Sequence, residues 1–379
     1  GRQNIQDKYL PPSGEELSLN EFIHQISERF LRDLVSTTFG LQYLDNFLTR
    51  IHQILTEQRE TLSEGDLDLL MTYDAKKVSC FIHSPNPLTN DLIHLGGKGY
   101  TLVVLASEGI HVPPGFIVTT EVFRCQRIIE RFKHARDHFE REIRAGIQQI
   151  EKVTGNEFGS TRRPQLLAVR SGATISMPGM MATLLNVGIN EEIVESLARS
   201  TGEAWFAWDN YRRFIQSWGM SFGMQRDVFS EIMRKYKARY HVEKKRQFTG
   251  EEMNQLALAY RAAVEERQIT LYEDPWAQLQ VAIQQVIGSW DSNNARQYRQ
   301  IMGISDYWGT AVIVQAMIFG NLSHYSGSGV FFTAHPYRKI RRVALWGDFT
   351  PGNQGEDIVG GLVSTYPISK EQRETAGGD

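Results

Sequence analysis

Residues 166–188 read Leu-Leu-Ala-Val-Arg-Ser-Gly-Ala-Thr-Ile-Ser-Met-Pro-Gly-Met-Met-Ala-Thr-Leu-Leu-Asn-Val-Gly. An apolar run ends at Arg170 and opens into a loop of small residues, which turns at 177–181 before a second apolar run. A guanidinium offers a fixed fork of donors, and small residues let backbone N–H groups approach an anion. The stretch therefore predicts a phosphate-binding loop between two strands. A plain hairpin whose arginine pairs with a surface carboxylate is the alternative, and the local pattern leaves it open.

A second candidate for anion binding lies upstream, where Lys98 stands between glycines in the segment 95–99. A helix is predicted over 100–108 and a strand over 112–118. At the start of a helix, free backbone N–H groups and the helix dipole favour an anion. The alternative for Lys98 is a surface lysine in a glycine turn.

Composition and charge limit the class of protein. Of the 379 residues, 41% are hydrophobic and 22% charged, which is enough apolar content for a packed core. Lys and Arg number 41 against 44 Asp and Glu, and this near balance argues against a general nucleic-acid binder. Two cysteines are too few for a disulfide framework and are typical of a reducing compartment. No apolar run approaches the roughly 18 residues of a membrane span. We expect a cytoplasmic protein that binds neither nucleic acid nor membranes.

The first 90 residues are predicted to form a helical extension. Apolar residues recur at helical spacing over 22–34 and 41–55, preceded by Ser18 and Glu21 at the spacing of a capping box. We interpret these stripes as two helices packed as a hairpin that turns near Gly40. Their apolar faces serve either core packing or docking and dimerisation.

The rest of the chain changes from helical to strand patterns. Residues 121–154 are predicted to be helical, and about 190–305 a helical subdomain. Its basic stretch begins at Arg212 and Arg213 and continues to Arg239, with Lys244, Lys245 and Arg246 just beyond, and is interpreted as a solvated helix face. Strands are predicted over 310–318, 326–333 and 342–349, followed by a polar loop over 353–357 and a frayed tail over 369–379.

Several segments, in conserved order along the chain, together resemble the nucleotide-binding part of the pyruvate, phosphate dikinase family over roughly residues 90–368. They are Gly96-Gly97-Lys98-Gly99, Val112-Pro113-Pro114-Gly115-Phe116, Val169-Arg170-Ser171-Gly172-Ala173, Ser176-Met177-Pro178-Gly179-Met180-Met181, Tyr211-Arg212-Arg213-Phe214-Ile215-Gln216, Trp308-Gly309-Thr310-Ala311-Val312, Phe319-Gly320-Asn321, Ser326-Gly327-Ser328-Gly329-Val330 and Gln354-Gly355-Glu356-Asp357. The resemblance implies an α+β fold of the ATP-grasp type over residues 91–368, with large helical insertions, in which two lobes hold ATP between them.

The resemblance also implies the activity and the site residues. The family converts ATP, phosphate and pyruvate to AMP, pyrophosphate and phosphoenolpyruvate, and a histidine on a separate domain carries the phosphoryl group. Lys98 and Arg170 match family residues that contact the ATP phosphates, and Arg170 is the candidate catalytic residue. The loop through Gly179 resembles the family's lid, and Gln315 and Met317 are expected to line the adenine slot. ATP and Mg²⁺ are the implied cofactors.

Other family features have no match. The family's acidic metal-binding residues would lie beyond Asp379, so the metal ligands are unassigned. The phosphohistidine and pyruvate-binding domains are expected as partners that this chain lacks. Ala182 stands where the family has aspartate, Ala334 where it has arginine, and Gly352 where it has asparagine. These departures leave open a non-catalytic nucleotide sensor or scaffold, or a phosphoenolpyruvate synthase-type enzyme, and a homodimer is also left open.

Overall fold

The computed structural model describes residues 19–39, 47–54, 56, 73–323, 325–336 and 345–375. The chain divides between Thr72 and Tyr73 into two units. In the first unit, helix α1 covers Leu19–Phe39 and α2 covers 47–54, in agreement with the predicted helical stripes. The predicted turn near Gly40 and the capping residue Ser18 lie outside the described residues.

The second unit holds two antiparallel sheets and a long run of helices. The strands are β1 Ser79–Phe81, β2 Gly115–Val118, β3 Leu167–Gly172, β4 Thr183–Val187, β5 Ala311–Ala316, β6 Gly327–Phe332, β7 Trp346–Pro351 and β8 Tyr366–Pro367. The helices are α3 Leu92–Ser107, α4 Thr120–Arg124, α5 Gln126–Arg131, α6 Lys133–Thr154, α7 Glu191–Thr201, α8 Ala204–Ser221, α9 Arg226–Arg239, α10 Gly250–Glu266, α11 Pro275–Gly288, α12 Asn293–Met302, α13 Gly355–Val359 and α14 Lys370–Thr375. This mixture of helices and antiparallel sheets is the α+β class predicted from the sequence.

The first sheet has five strands in the order β1-β2-β5-β3-β4. Its central strand, β5, is buried at every residue because β2 and β3 cover both its edges and helices cover its faces. On one face, Leu95 and Val103 of α3 pack against Ile117 and Ile313. On the other, the ring of Phe116 lies so close to α6 that a Cβ on Gly146 would come within 2.3 Å of it. The sheet is therefore a rigid base for residues at its strand ends.

The second sheet has three strands in the order β6-β7-β8 and is followed by short helices. The segment predicted as a polar loop over 353–357 contains the start of α13, whose first turn carries Glu356 and Asp357. The tail predicted to be frayed forms α14 over Lys370–Thr375, and the Gln372 side chain accepts a hydrogen bond from the Gly347 N–H at 2.8 Å. Side-chain bonds to distant backbone groups stabilise both elements, and the local pattern does not reveal them.

One predicted boundary differs from the fold. The helical extension was expected to end at residue 90, whereas β1 pairs with β2 and so belongs to the five-stranded sheet. This strand has only three residues, too few for its alternation to be recognised. Helices α7 to α12 occupy the range predicted as a helical subdomain. Among the residues that the structure describes, no helix is both long and apolar enough to cross a membrane.

Candidate functional site

A cavity of about 550 Å³ lies beside the end of β3. Helix α3, strand β5 and the loop that follows β3 form its walls. Its described lining includes the predicted residues Lys98, Arg170 and Gln315, together with Thr174–Met177 of the loop. Its volume lies within the range of about 300–1,000 Å³ that is usual for small-molecule sites.

Close backbone contact between α3 and β3 brings Lys98 into this cavity. Helix α3 is broken at Gly96, which has φ +66°, so a second helical start falls just before Lys98. A Cβ at Gly96 would lie 1.5 Å from the carbonyl oxygen of Gly172, and the Gly97 N–H donates to the carbonyl oxygen of Ala173 at 3.0 Å. Only glycine permits this approach at residue 96. The helix was predicted to start at residue 100. It starts at Leu92 instead and is interrupted at Gly96.

The two predicted phosphate-binding cations are near each other. Burial lowers the pKa of the Lys98 ammonium, and the positive charge of Arg170 lowers it further. Two neighbouring positive charges repel each other, and an anion placed between them stabilises the charged form of both side chains. The arrangement is therefore suited to a phosphate group.

A second cavity, of about 320 Å³, lies between the two sheets and adjoins the first. Arg170 and Gln315 line both cavities. The second lining adds Met317, residues 327–329 of β6, and residues 354–356. Gln315 and Met317 are mostly buried: the Gln315 amide donates to the Pro113 carbonyl at 3.0 Å, and the Met317 N–H donates to the Leu166 carbonyl at 2.9 Å. Both residues predicted for an adenine slot are thus held in place, Gln315 where the two cavities adjoin and Met317 in the second cavity.

Arg170 pairs with a half-exposed carboxylate, as the alternative left open by the sequence expected, although the sequence did not identify Glu356 as the partner. Its Nη2 lies 3.4 Å from Oε1 of Glu356, and the two side chains are 41% and 39% exposed. Such a half-exposed ion pair contributes little to stability, about 0–1 kcal/mol. The guanidinium can therefore exchange this carboxylate for another anion at low cost.

The loop after β3 is anchored at one point and open at another. Met177 is buried against Trp290 and Ile304. Gly179 has φ +73°, is exposed, and has no atom within 4 Å of where its Cβ would stand. Gly179 is not among the described residues that line either cavity. The structure thus places four of the five predicted site residues in the linings and Gly179 at the tip of the adjoining loop.

The prediction of a solvated basic face is wrong for Arg212 and Arg213. Both are buried on α8, where Arg212 Nη2 lies 2.7 Å from Asp209 Oδ1 and Arg213 Nε lies 2.9 Å from Asp209 Oδ2. Arg213 also donates to Asp357, next to Glu356, and Lys245 Nζ lies 3.5 Å from the same carboxylate. We call Asp209, Arg212, Arg213, Lys245 and Asp357 the ionic cluster. It ties the helical region to α13, and the spacing of Asp209 to the two arginines was the sequence signal for it.

The charges of the ionic cluster depend on each other. Burial would raise the pKa of Asp209, but Arg213, Lys245 and Arg212 outweigh it and hold that pKa well below its usual range. Burial lowers the pKa of Lys245 to about 8, with help from Arg213 and against the attraction of Asp209. With every member charged, three cations face two carboxylates.

The described residues do not assemble a metal site. Within the part of the chain that the structure describes, no three His, Cys, Asp or Glu side chains stand close enough to hold a metal ion. In the described linings of the two cavities Glu356 is the acidic residue, and its carboxylate contacts Arg170. These side chains therefore do not fit a resident Mg²⁺ ion.

Comparison with known proteins identifies the family to which this sequence is similar. Residues 124–376 match the family described as "Pyruvate phosphate dikinase, AMP/ATP-binding domain". The chain is 41% identical to pyruvate, phosphate dikinase of Rhizobium meliloti over 291 residues, 76% of this chain and 32% of the relative. It is 42% identical to a chloroplastic pyruvate, phosphate dikinase of Mesembryanthemum crystallinum over 270 residues, 71% of this chain and 28% of the relative. A Rickettsia felis enzyme of the same name is 38% identical over 275 residues, 72% of this chain. The match spans only about a third of each relative's length.

Proposed function

The chain belongs to the pyruvate phosphate dikinase AMP/ATP-binding family, and on that premise we propose that it binds ATP across the two adjoining cavities. The observation that carries the proposal is that Lys98 and Arg170 converge on one cavity while Arg170 and Gln315 connect it to a second. A ligand with an anionic end and an apolar, hydrogen-bonding end matches this pair of cavities.

The triphosphate is assigned to the cavity beside Lys98. Charge neutralisation by the ammonium and the Arg170 guanidinium is the main contribution that a protein makes to phosphoryl transfer, together with positioning. Backbone N–H groups at the second helical start, after Gly96, add donors on the same side. The loop through Gly179 is assigned as the lid over the phosphates, because its tip is open and its glycine already adopts a left-handed conformation.

The base is assigned to the cavity between the sheets. Gln315 and Met317 offer an amide and an apolar thioether beside residues 327–329 of β6, where glycines let a ring approach the backbone. A nucleotide held between a five-stranded and a three-stranded sheet is the arrangement of an ATP-grasp fold. We propose that fold for the region expected over residues 91–368, extended upstream to include β1. The two sheets are its lobes and α7 to α12 its helical subdomain.

In a longer protein, this part would pass phosphoryl from ATP to a histidine on another domain, towards phosphoenolpyruvate, and the phosphohistidine and pyruvate-binding domains would be its partners. Arg170 contacts the phosphates in that proposal and is the catalytic residue. ATP arrives as its magnesium complex, whose ion the described residues do not ligate. The free, buried thiols of Cys80 and Cys125 suit the reducing cytoplasm proposed as its location.

Isothermal titration of the chain with MgATP tests the binding proposal. We expect one saturable site, weakened when Lys98→Met removes the ammonium, and absence of saturable binding would refute it. A sensor or scaffold would use the same cavities, so binding does not separate it from an enzyme. Isotope exchange between ATP and AMP, measured in a protein that contains the partner domains, separates the sensor from the enzyme. Exchange supports the transferase, and absence of exchange with intact ATP binding supports the sensor. Release of free phosphate rather than pyrophosphate would indicate the synthase-type reaction.

A further inference from the structure

Arg246 makes an unusual set of contacts outside both cavities. It lies in the short turn between α9 and α10, and its guanidinium carbon is 4.5 Å from the centre of the Trp205 ring. Its Nη1 donates to the carbonyl oxygen of Gly352 at 2.8 Å and to that of Asn321 at 3.3 Å. One side chain of the helical region thus bonds two backbone segments that are distant in sequence.

Gly352 is shaped to receive this guanidinium. Its φ is +66°, and a Cβ there would lie 3.0 Å from the Arg246 Cζ, closer than to Nη2 or Nε. The guanidinium therefore presents its flat face to the Gly352 backbone. Gly352 is the position where the family resemblance leads us to expect asparagine, and a side chain there would displace Arg246.

The two segments that Arg246 bonds both lead into the lining of the cavity between the sheets. Asn321 follows the lining residues Ile318 and Gly320, and Gly352 precedes the lining residues 354–356. Gln354 joins the same two segments from within the lining, since its Oε1 accepts from the Gly320 N–H at 2.9 Å and its Nε2 donates to the Ile318 carbonyl at 3.3 Å. Arg246 is not among the described lining residues, so it adds a second connection between the segments outside the cavity.

We propose that Arg246 is a positioning residue that fixes two lining segments of the cavity between the sheets relative to each other, and thereby sets the fit of the nucleotide base. The inference rests on the proposed function, which assigns the base to that cavity. Lysine cannot replace arginine here, because an ammonium lacks the flat face that stacks on Trp205 and the fork that spans two carbonyls. None of these contacts involves a described lining residue of the phosphate cavity beside Lys98, so that cavity should be unaffected.

Comparison of two ligands tests the proposal. ATP needs both cavities, whereas inorganic tripolyphosphate needs only the one beside Lys98. Arg246→Ala should weaken ATP binding at least about fivefold, which corresponds to about 1 kcal/mol, and leave tripolyphosphate binding within about twofold. Arg246→Lys should behave like Arg246→Ala. The matched control is Arg234→Ala on α9, whose exposed side chain pairs only locally, with Glu231; it should change neither affinity.

The outcomes separate this inference from the proposed function. A wild-type chain that does not bind ATP refutes both. Wild-type binding with equal losses for the two ligands, or with no loss for ATP, overturns the role of Arg246 alone. Full recovery in Arg246→Lys also overturns it, since charge would then suffice. Thermal unfolding checks that each variant is folded. If Arg246→Ala does not fold, Trp205→Leu, which removes the stacking surface, should show the same selective loss of ATP affinity.

Discussion

Replacement of Arg170 by methionine should separate ligand binding from stability. Methionine keeps an unbranched apolar stem and removes the guanidinium. Arg170 contacts Glu356 at 3.4 Å, with both side chains about 40% exposed, so the variant loses at most about 1 kcal/mol of folding free energy. With a bound phosphate the same guanidinium makes charged hydrogen bonds, and the loss of one costs about 1.5–3 kcal/mol. This corresponds to about 10- to 150-fold weaker ATP binding.

Calorimetric titration with MgATP and a thermal unfolding scan together measure both quantities. The midpoint of unfolding should stay within about 3 °C of wild type. Arg199→Met is the matched control, because Arg199 is 71% exposed on α7 and pairs with Glu195 at 3.6 Å, away from the cavities. Its ATP affinity should equal that of wild type. An Arg170→Met protein that binds ATP within twofold of wild type would remove Arg170 from the site, and a large fall in its unfolding midpoint would show that the pair with Glu356 is not weak.

Three further perturbations have definite outcomes. Arg213→Met removes a guanidinium that contacts two buried carboxylates, which keep Arg212 and Lys245 as partners. Each lost hydrogen bond to a charged group costs about 1.5–3 kcal/mol, so denaturant titration should show a clearly lower free energy of unfolding; an unchanged value would contradict the account of the ionic cluster. Gly96→Ala places a Cβ 1.5 Å from a carbonyl oxygen of β3 and should prevent native folding, as judged by circular dichroism. The control is Gly109→Ala, at φ +77° with no atom within 4 Å of the new Cβ, which should lower the free energy of unfolding by only about 1 kcal/mol. Lys245 has a pKa of about 8 when folded and 10.5 as its ordinary value, so between these limits the unfolded chain binds more protons and stability should rise with pH. Lys245→Met should remove that rise, and equal pH slopes for the two proteins would refute it.

The sequence identified the candidates for the site but did not decide between their alternatives. The local pattern singled out Lys98 between glycines and Arg170 at the end of an apolar run, the family resemblance favoured their role on phosphates, and the structure brings both to one cavity. The central strand could also be predicted, because a fully buried strand has a continuous apolar pattern, whereas Gln315 was assigned through the resemblance.

Features that depend on distant pairing could not be predicted. Whether Arg213 faces solvent or the interior is decided by Asp357, which lies 144 residues further along the chain. The nearby Asp209 was visible in the sequence but Asp357 was not, and the basic stretch was interpreted as exposed. The same limit applies to Glu356, whose contact with Arg170 follows from the sheet order and not from any local spacing. Strand β1 was missed for another reason, since three residues carry too little pattern.

The position of β5 in the sheet has a consequence for how the protein is made. Strands β1 and β2 form one pair and β3 and β4 another, yet the two pairs meet only through β5, which is synthesised after helices α7 to α12. At typical elongation rates of roughly 5–20 residues per second, the apolar edges of β2 and β3 stay open on the ribosome for of the order of ten seconds. Open edges of this kind recruit other strands. Nascent chains halted before residue 311 should therefore depend on chaperones and aggregate without them, although most of the helical region is already complete.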